Sequence, residues 1–355
     1  TVGGGQDNTA STGTHATVGG GQNNISSGGQ STVSGGINNT ASGSRSIVGG
    51  GQNNDAIAQL SFIGGGLNNT ANGDRATIGG GFNNDAISQF STLSGGEDNT
   101  TSGAHATVGG GDTNTASGSK STVSGGENNT STDTHTTVGG GSGNDATNDY
   151  STISGGQNNT ASGVRSFVGG GLGNTASSTL SVVAGGESNT AGGTLSTASG
   201  YQAGTSRWGQ FAHSSGRFSS NGDAQYCRYI VRTATTDATA NVELFLDGTG
   251  GSNRITIPEG TAYQFHIYIT SIQQTGNNAK SSEITGLIRR ESGQNATIVG
   301  QHTDGNKTFN DGGFTPSYTV SADTTNQALK IDVTGIAATN IHTVATVDIT
   351  EVKYA

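Results

Sequence analysis

Aliphatic residues recur every fifteen positions along the first 200 residues of the chain, separated by glycine, asparagine and small polar residues. We number the repeat so that the aliphatic residue occupies slot 2; a glycine pair then fills slots 4 and 5, and an asparagine fills slot 8. A fixed period of this length is typical of a solenoid, in which each repeat forms one coil of a stack. The slot 2 residues are Val18, Val33, Val48, Ile63, Ile78, Leu93, Val108, Val123, Val138, Ile153, Val168 and Val183, and the slot 8 residues are Asn24, Asn39, Asn54, Asn69, Asn84, Asn99, Asn114, Asn129, Asn144, Asn159, Asn174 and Asn189.

The residue types at each slot predict which side chains face the core of a coil. Slot 15 is always small and slot 2 is always aliphatic, and side chains two apart point to the same face of a strand, so both should point inward. Slot 10, usually alanine, should form a second inward row. Glycine at slots 4 and 5 fits a turn that needs a positive φ, or a backbone that another chain approaches closely. No apolar stripe with a helical period is present, so the pattern predicts a parallel β-roll of 15-residue coils.

Each coil offers one full aliphatic side chain and two small ones to its core. That area is too small to offset the ordering of fifteen residues at about 1–2 kcal/mol each. We therefore expect further burial against other chains, most simply in a homotrimer around a common axis that covers the same flank of every coil. Isolated chains should not fold the roll stably.

The composition changes near Gly200. Residues 201–222 add Trp208, Phe211 and Phe218, and we expect this segment to cap the roll. Residues 223–355 then show alternating apolar and polar positions separated by turn residues, which predicts eight or nine strands in an antiparallel β-sandwich of the jelly-roll kind. The predicted domains are thus a stalk over 1–200, a neck over 201–222 and a β-sandwich over 223–355. The predicted strands cover 226–231, 242–246, 254–257, 262–272, 283–290, 297–300, 317–322, 329–333 and 343–352.

Two parts of the chain resemble known families. The stretches SIVGGGQNNDAIAQLSFIGGGLNNTANGDRA and STISGGQNNTASGVRSFVGGG resemble the left-handed parallel β-roll of trimeric autotransporter adhesin heads and related repeats of bacteriophage tail fibres. The stretches GRFSSNGDAQYCRYIVRTATTDATANVELFLDG, IPEGTAYQFHIYI, ITGLIRRESGQNATIVG and YTVSADTTNQALKIDVTG resemble a C-terminal domain of phage tail fibre and tailspike-like proteins. The roll departs from the adhesin pattern in having fifteen rather than fourteen residues per coil. The C-terminal part lacks a tryptophan near residues 341–345, where such domains often carry one.

Composition and charge exclude several classes of protein. A hydrophobic fraction of 29% and 63 glycines suit a thin fibrous stack better than an enzyme with a thick core. The net charge is −10, and residues 1–200 hold twelve acidic residues against four basic ones, so we expect no binding to nucleic acid. Cys227 is the single cysteine, which excludes an intrachain disulfide. No apolar run is long enough to span a membrane.

Residues with catalytic or metal-binding chemistry form no convincing site in the sequence. His15, His105 and His135 share slot 14 with unrelated residues and lie two or more coils apart, so a variable exposed position is a better interpretation than a metal ladder. Acidic residues after the glycines could form a carboxylate pair, but they occupy turn positions. The glycine runs are periodic and lack the lysine of a phosphate-binding loop. We predict no catalytic residue, cofactor or metal. The acidic turn residues are Glu97, Asp98, Glu127 and Glu187.

Ligand contacts are expected in the C-terminal half of the chain. Tyr201, Trp208 and Tyr318 are candidates for stacking on sugar rings, although each could instead pack within the neck or the sandwich. The loops at 248–253, 274–282 and 303–315 differ in sequence from one another, and loops on a β-scaffold often carry recognition.

Two function classes remain, and a third, enzymatic class is less favoured. The first is a non-enzymatic tail fibre or tailspike on the surface of a virion. In it the roll is a rigid spacer, and the C-terminal domain carries trimerisation and binds a host polysaccharide or protein receptor, most simply a glycan. The second is a trimeric adhesin on a bacterial cell surface, and the third is a polysaccharide-degrading tailspike. The resemblance of the C-terminal part favours the virion fibre. Because the chain begins within a repeat at Thr1, we expect a preceding part that attaches it to other tail or baseplate proteins.

Overall fold

A computed structural model describes residues 1–11, 14–276, 278–303, 308–311 and 313–354. The chain forms two compact units, Thr1–Ala176 and Ser177–Ala355. All regular structure in the described residues is β, and none of it is a helix that could cross a membrane. The predicted class, an all-β chain with a parallel solenoid followed by antiparallel sheets, is confirmed.

The first unit consists of two ladders of two-residue strands that pair in parallel with the coil before and the coil after. Thr107 pairs with Thr122 and Thr115 with Thr130, so each coil adds fifteen residues and rises by one strand spacing of about 4.8 Å. Ladder A comprises β2 (Thr17–Val18), β4 (Thr32–Val33), β6 (Ile47–Val48), β8 (Phe62–Ile63), β10 (Thr77–Ile78), β12 (Thr92–Leu93), β14 (Thr107–Val108), β16 (Thr122–Val123), β18 (Thr137–Val138), β20 (Thr152–Ile153) and β22 (Phe167–Val168). Ladder B comprises β1 (Thr9–Ala10), β3 (Ile25–Ser26), β5 (Thr40–Ala41), β7 (Asp55–Ala56), β9 (Thr70–Ala71), β11 (Asp85–Ala86), β13 (Thr100–Thr101), β15 (Thr115–Ala116), β17 (Thr130–Ser131), β19 (Asp145–Ala146), β21 (Thr160–Ala161) and β23 (Thr175–Ala176).

The predicted inward slots form the core of the roll. Every slot 2 aliphatic from Val18 to Val168 is completely buried, as are the slot 10 alanines from Ala41 to Ala176 and the slot 8 asparagines from Asn24 to Asn174. Asn114 shows how a buried amide is satisfied: its Nδ2 donates to the carbonyls of Gly110 at 3.0 Å and Gly126 at 2.8 Å, and its Oδ1 accepts from the backbone N–H of Asn129 at 3.0 Å. Because each asparagine bonds to the neighbouring coils, the stack of amides fixes their register.

Three slots have a left-handed backbone in every coil of the first unit, and slot 4 has one in half of the coils. The slot 5 glycines have φ near 90°, as at Gly111 with 92°. Slot 7 holds asparagine in most coils, which tolerates this conformation. Slot 14 also has φ near 60°, yet it carries large residues such as Arg75, Phe90 and Tyr150. The sequence pattern did not reveal this third turn, because slot 14 lacks the glycine or asparagine that would mark it.

The second unit begins with further coils of the same kind. The pairing of β24 with β26 shifts between Val183 and Gly186, and the coils after this bulge contain fourteen residues, as in the pairing of Thr190 with Gly204. The structure therefore places two coil strands within residues 201–222, the segment expected to cap the roll. The coil strands are β24 (Val182–Glu187), β25 (Thr190–Ala191), β26 (Thr197–Tyr201), β27 (Gly204–Thr205) and β28 (Phe211–Ser215).

Two antiparallel sheets follow. The larger sheet has the order β28-β29-β38-β32-β33-β34, with β35 also on β33; in the smaller sheet β36, β30 and β31 all pair with β37. Most predicted strands are present, but residues 279–282, expected in a loop, belong to β33, and β35 was not predicted. Residue 277 of the expected loop 274–282 and residues 304–307 and 312 of the expected loop 303–315 lie outside the described residues. The strands are β29 (Ala224–Thr235), β30 (Val242–Glu243), β31 (Ile255–Thr256), β32 (Thr261–Gln273), β33 (Ala279–Arg290), β34 (Thr297–Thr303), β35 (Phe309–Asn310), β36 (Ser317–Asp323), β37 (Ala328–Thr334) and β38 (Ile341–Lys353).

Candidate functional site

The outward face of the larger sheet carries a row of polar side chains. Along β29 the buried residues Cys227 and Tyr229 alternate with exposed ones, as the period of a strand requires. The register places Arg228 opposite Asp348 and Asp348 opposite His266. We call this group the tyrosine–histidine cluster; it consists of Tyr226, Arg228, His266, Tyr268, Glu283 and Asp348.

Asp348 is the centre of the cluster. Its Oδ1 accepts hydrogen bonds from Arg228 Nε at 2.7 Å and from the Tyr226 hydroxyl at 2.5 Å, and its Oδ2 accepts from the second arm of the guanidinium at 3.0 Å. The Arg228 fork therefore meets the carboxylate at both oxygens, which orients both side chains.

His266 joins the other side of the cluster. Its Nε2 contacts a carboxylate oxygen of Glu283, and its Nδ1 lies 3.1 Å from the Tyr268 hydroxyl. The rings of His266 and Tyr268 stack with their centres 4.3 Å apart. Both ring nitrogens thus have partners, and the imidazole is held in one orientation.

The Arg228 guanidinium sets the charge of the cluster. Its hydrogen bonds hold the pKa of Asp348 below the usual range, so the carboxylate stays ionised well into the acid range. Burial, followed by the hydrogen bond to Asp348, raises the pKa of the Tyr226 hydroxyl. The cluster therefore presents a balanced ion pair beside neutral hydroxyl groups.

Two shallow depressions lie on this face. One, of about 230 Å³, is lined by cluster residues Tyr226, His266 and Asp348. The other, of about 550 Å³, is lined by Leu287, Gly300, Gln301 and His302 among others. Both are bounded by Gln264 and Thr285, so they adjoin each other. A groove with amide, imidazole, hydroxyl and aliphatic groups suits a ligand that has both hydroxyl groups and apolar patches.

The three aromatic residues singled out from the sequence do not converge. Tyr201 ends β26 with 42% of its surface exposed, and Trp208 is half-buried in the turn after β27. The Tyr318 hydroxyl donates to Ser271 Oγ at 2.9 Å, and its ring lies under Lys280 Nζ at 5.2 Å. Within the described residues, no hydrogen bond or ring contact joins any two of these three. Their role as ligand contacts stays a prediction.

Next to Trp208, the structure reveals a buried charge that the sequence did not single out. The Arg207 guanidinium donates to Tyr263 at 2.5 Å, to Tyr229 at 3.2 Å and to the Thr256 carbonyl at 2.8 Å. The Tyr263 hydroxyl lies 3.2 Å from Glu351 Oε1. Because every charged group here is buried and hydrogen-bonded, we interpret this network as an anchor between the last coil turn and the sheet.

The acidic turn residues and the slot 14 histidines of the roll, singled out from the sequence, form no comparable cluster in the described residues. Glu97, Asp112 and Glu127 occupy slot 6 of successive coils, but they are exposed. The slot 14 histidines stack on aromatic neighbours: His105 lies 4.8 Å from Phe90, and His135 lies 4.9 Å from Tyr150. Over the part of the chain that the structure describes, no three histidine, cysteine or acidic side chains are grouped as metal ligands would be.

The expected recognition loops are partly occupied by internal contacts. Asp247 Oδ1 accepts from the backbone N–H groups of Ser252 and Asn253, both at 3.1 Å, which closes the loop 248–253 on itself. The candidate site is therefore placed on the sheet face rather than on loop 248–253, and the role of the other two loops stays a prediction. Strand alternation in β29, β32 and β38 could have shown which side chains face outward, but not which strands are neighbours.

Comparison with protein families gives no match for this chain, and comparison with curated proteins gives none either. A search of solved structures finds the crystal structure of the Acinetobacter phage vB_ApiP_P1 tailspike protein. That alignment covers 96% of this chain and 82% of the tailspike chain, at 8% identity and a TM-score of 0.22. A score this low carries no argument about fold or function, so the conclusions that follow rest on the residues of the chain itself.

Proposed function

We propose that the protein is a non-enzymatic attachment fibre of a virion tail, in which three copies assemble, the roll acts as a spacer and the C-terminal sheet binds a glycan on the host surface. The outward sheet face, where the tyrosine–histidine cluster adjoins two open depressions, supports the binding of a ligand. The resemblance of the C-terminal stretches to phage tail proteins supports the assignment to a virion. The roll, in contrast, uses its asparagines and glycines to stack its own coils.

The composition of the cluster favours a neutral, hydroxyl-rich ligand. The charge of Asp348 is balanced by Arg228 and the Glu283 carboxylate is paired with His266, so the cluster leaves no unpaired cation for an anionic ligand. Sugar hydroxyl groups both donate and accept; the carboxylates of the cluster can accept from them, whereas imidazole and amide groups can both donate and accept. A weak contact at one site would be strengthened by the presence of three sites on one fibre.

Binding of the full chain to host cells and to an array of immobilised glycans tests this proposal. The Asp348→Asn variant keeps the shape of the side chain but removes the charge-assisted hydrogen bonds, and we expect binding at least about tenfold weaker. The matched control is Asp55→Asn, an equal change on the outside of ladder B, which should bind as the wild type does. Equal glycan binding by the wild type and Asp348→Asn would contradict the assignment of the site.

An assay for released reducing sugar separates attachment from degradation. We expect none to appear when the wild-type chain is incubated with a polysaccharide that it binds. Release by the wild type that persists after purification would replace the attachment proposal with that of a polysaccharide-degrading tailspike.

A further inference from the structure

The glycines at slots 4 and 5 of each turn are present for different physical reasons. At slot 5, glycine is required by the chain itself: a Cβ on Gly111 would lie 2.1 Å from the Gly126 carbonyl oxygen, and the φ of Gly111 is 92°. At slot 4 the first reason applies in no coil of the first unit, since a Cβ would meet nothing closer than 3.7 Å. The second reason applies in six of the twelve coils, as at Gly110 with a φ of 138°. A Cβ on Gly20 or Gly35 would meet no atom within 4 Å, and neither residue has a left-handed backbone. Glycine nevertheless fills slot 4 in every coil of the first unit.

The slot 4 glycines border a flank that carries no charge. Slots 1 and 3 of ladder A point outward, as shown by Phe62, whose ring would lie 3.6 Å from a Cβ on Gly64. We call slots 1, 3 and 4 the glycine–threonine face. In the first unit its slot 1 residues are Thr17, Thr32, Ile47, Phe62, Thr77, Thr92, Thr107, Thr122, Thr137, Thr152 and Phe167, slot 3 holds only Gly or Ser, and slot 4 holds only Gly.

The charges of the roll lie on its other surfaces. The basic residues of the first unit all occupy slot 14, and the acidic ones occupy slots 6, 7, 9, 12 and 13. The outward slot 9 of ladder B, for example, holds Asp55, Asp85 and Asp145. The uncharged flank is a surface on which another molecule can approach the acidic stack without desolvating charged groups.

Apolar side chains on this face point away from the core. Ile47, Phe62 and Phe167 occupy slot 1 and are 40%, 39% and 37% exposed, although their neighbours at slot 2 are fully buried. Apolar residues at other slots, such as Phe82 at slot 6 and Ile57 at slot 11, are exposed to a similar degree, so what distinguishes the slot 1 residues is that they lie on the uncharged face. Burial of such side chains against a partner would add apolar contact that a single coil lacks.

We propose that the glycine–threonine face is where the rolls of neighbouring copies of this chain pack against one another. This inference rests on the proposed trimeric fibre and specifies the flank it uses. A partner that contacts every coil must repeat with the same period, and a second copy does so. Because the copies are acidic on their other surfaces, they repel one another there, and the uncharged face allows close approach. The slot 4 glycines then leave room for the backbone of the partner.

The first test introduces charge on the face and on a matched surface. The Thr107→Asp, Thr122→Asp variant places carboxylates at slot 1 of adjacent coils. The Thr115→Asp, Thr130→Asp control places them at slot 9, where other coils naturally carry aspartate. Light scattering of the full chain should give three copies per particle for the wild type and the control, and a threefold lower mass for the face variant.

Each outcome of this test has a separate meaning. A wild-type chain that is a monomer would contradict the trimer of the proposed function. A face variant that remains trimeric would overturn the assignment of the flank while leaving the trimer intact. A monomeric wild type whose glycan binding is lost in the face variant would assign the face to a glycan and would also overturn the inference.

A cross-linking experiment keeps the inference testable if the charged variant fails to fold. Cys227 is the single cysteine of the chain and is buried, so an introduced thiol is the accessible one. Thr107→Cys and Thr115→Cys are equal changes at half-buried positions of one coil. A short thiol–thiol cross-linker should join copies of Thr107→Cys and leave Thr115→Cys as single chains on a denaturing gel. Cross-linking at position 115, or none at 107, would overturn the inference.

Discussion

The Arg228 guanidinium approaches the Asp348 carboxylate side-on, with Nε 2.7 Å from one oxygen and a terminal nitrogen 3.0 Å from the other. The two residues are separated by 120 positions in the sequence and meet because β29 and β38 are paired along their whole length. Contact of the arginine fork with both carboxylate oxygens fixes the geometry of this partly exposed ion pair, and a pair with fixed geometry contributes more to stability than one without it.

Replacing Asp348 with asparagine should lower the stability of the second unit in a way that depends on pH. Since Arg228 holds the pKa of Asp348 below its ordinary value, the pair stabilises the fold above pH about 4 and this contribution is lost as the pH falls through the lowered pKa. We expect the variant to be less stable by about 1 kcal/mol at neutral pH. Urea unfolding between pH 7 and pH 3 measures the difference, which should shrink with acidification. A difference that stays constant down to pH 3 would exclude this role.

Replacing Asn114 with alanine should destabilise the roll. The buried amide serves the Gly110 and Gly126 carbonyls and the Asn129 N–H, and alanine would leave these groups without that partner. The cost of such unsatisfied groups is about 1–3 kcal/mol, repeated in each copy of an assembled fibre. Thermal denaturation followed by circular dichroism gives the change. Thr115→Ala, on the outside of the same coil, is the control, and an equal effect of both substitutions would argue against the amide stack.

Replacing Gly111 with alanine should be more harmful than the same change at Gly29. A Cβ at Gly111 would collide with the carbonyl of the next coil, whereas a Cβ at Gly29 would have no neighbour closer than 3.9 Å. We expect a lower denaturation temperature for Gly111→Ala and little change for Gly29→Ala, because only the first substitution forces the coils apart. Equal temperatures for the two variants would show that the turn adapts to a side chain at slot 5.

The core of the roll was predictable from the sequence because its geometry is local. A strand period of two places slots 15 and 2 on one side, and Val108 and its equivalents are indeed buried. The asparagine ladder was predictable as a ladder, but not its bonds to the glycine carbonyls. Those bonds depend on the shape of the turn over slots 4 to 7, which is left-handed at slots 5 and 7. The separate left-handed turn at slot 14 is concealed in the sequence by large residues such as Phe90.

The candidate site was not predictable, because it depends on which strands become neighbours. Alternation along β29 and β38 indicates that Tyr226 and Asp348 face outward, but a strand pattern alone does not contain the pairing order. The preference for aromatic residues selected Trp208, which is half-buried, and passed over the neighbouring Arg207. In the sequence, an arginine in a neck segment resembles a solvated charge. Its burial is evident only in the structure, where Glu351, 144 residues further along the chain, lies beside Tyr263.

Cys227 should be unreactive in the folded chain and reactive once the second unit unfolds. The thiol is fully buried, and burial, together with the nearby Glu351 carboxylate, raises its pKa to about 12. Since the thiolate is the reactive form, the folded protein should show almost no reaction with a thiol reagent at pH 8, where an ordinary cysteine reacts readily. The fraction of Cys227 modified with and without urea measures this.

The Gln225→Ala variant removes a hydrogen-bond partner of Glu351 at 2.9 Å without changing the cysteine. Because this loosens the network around Arg207, the variant should allow labelling at a lower urea concentration. Rapid modification of the native wild type would show that the network around Arg207 opens to solvent.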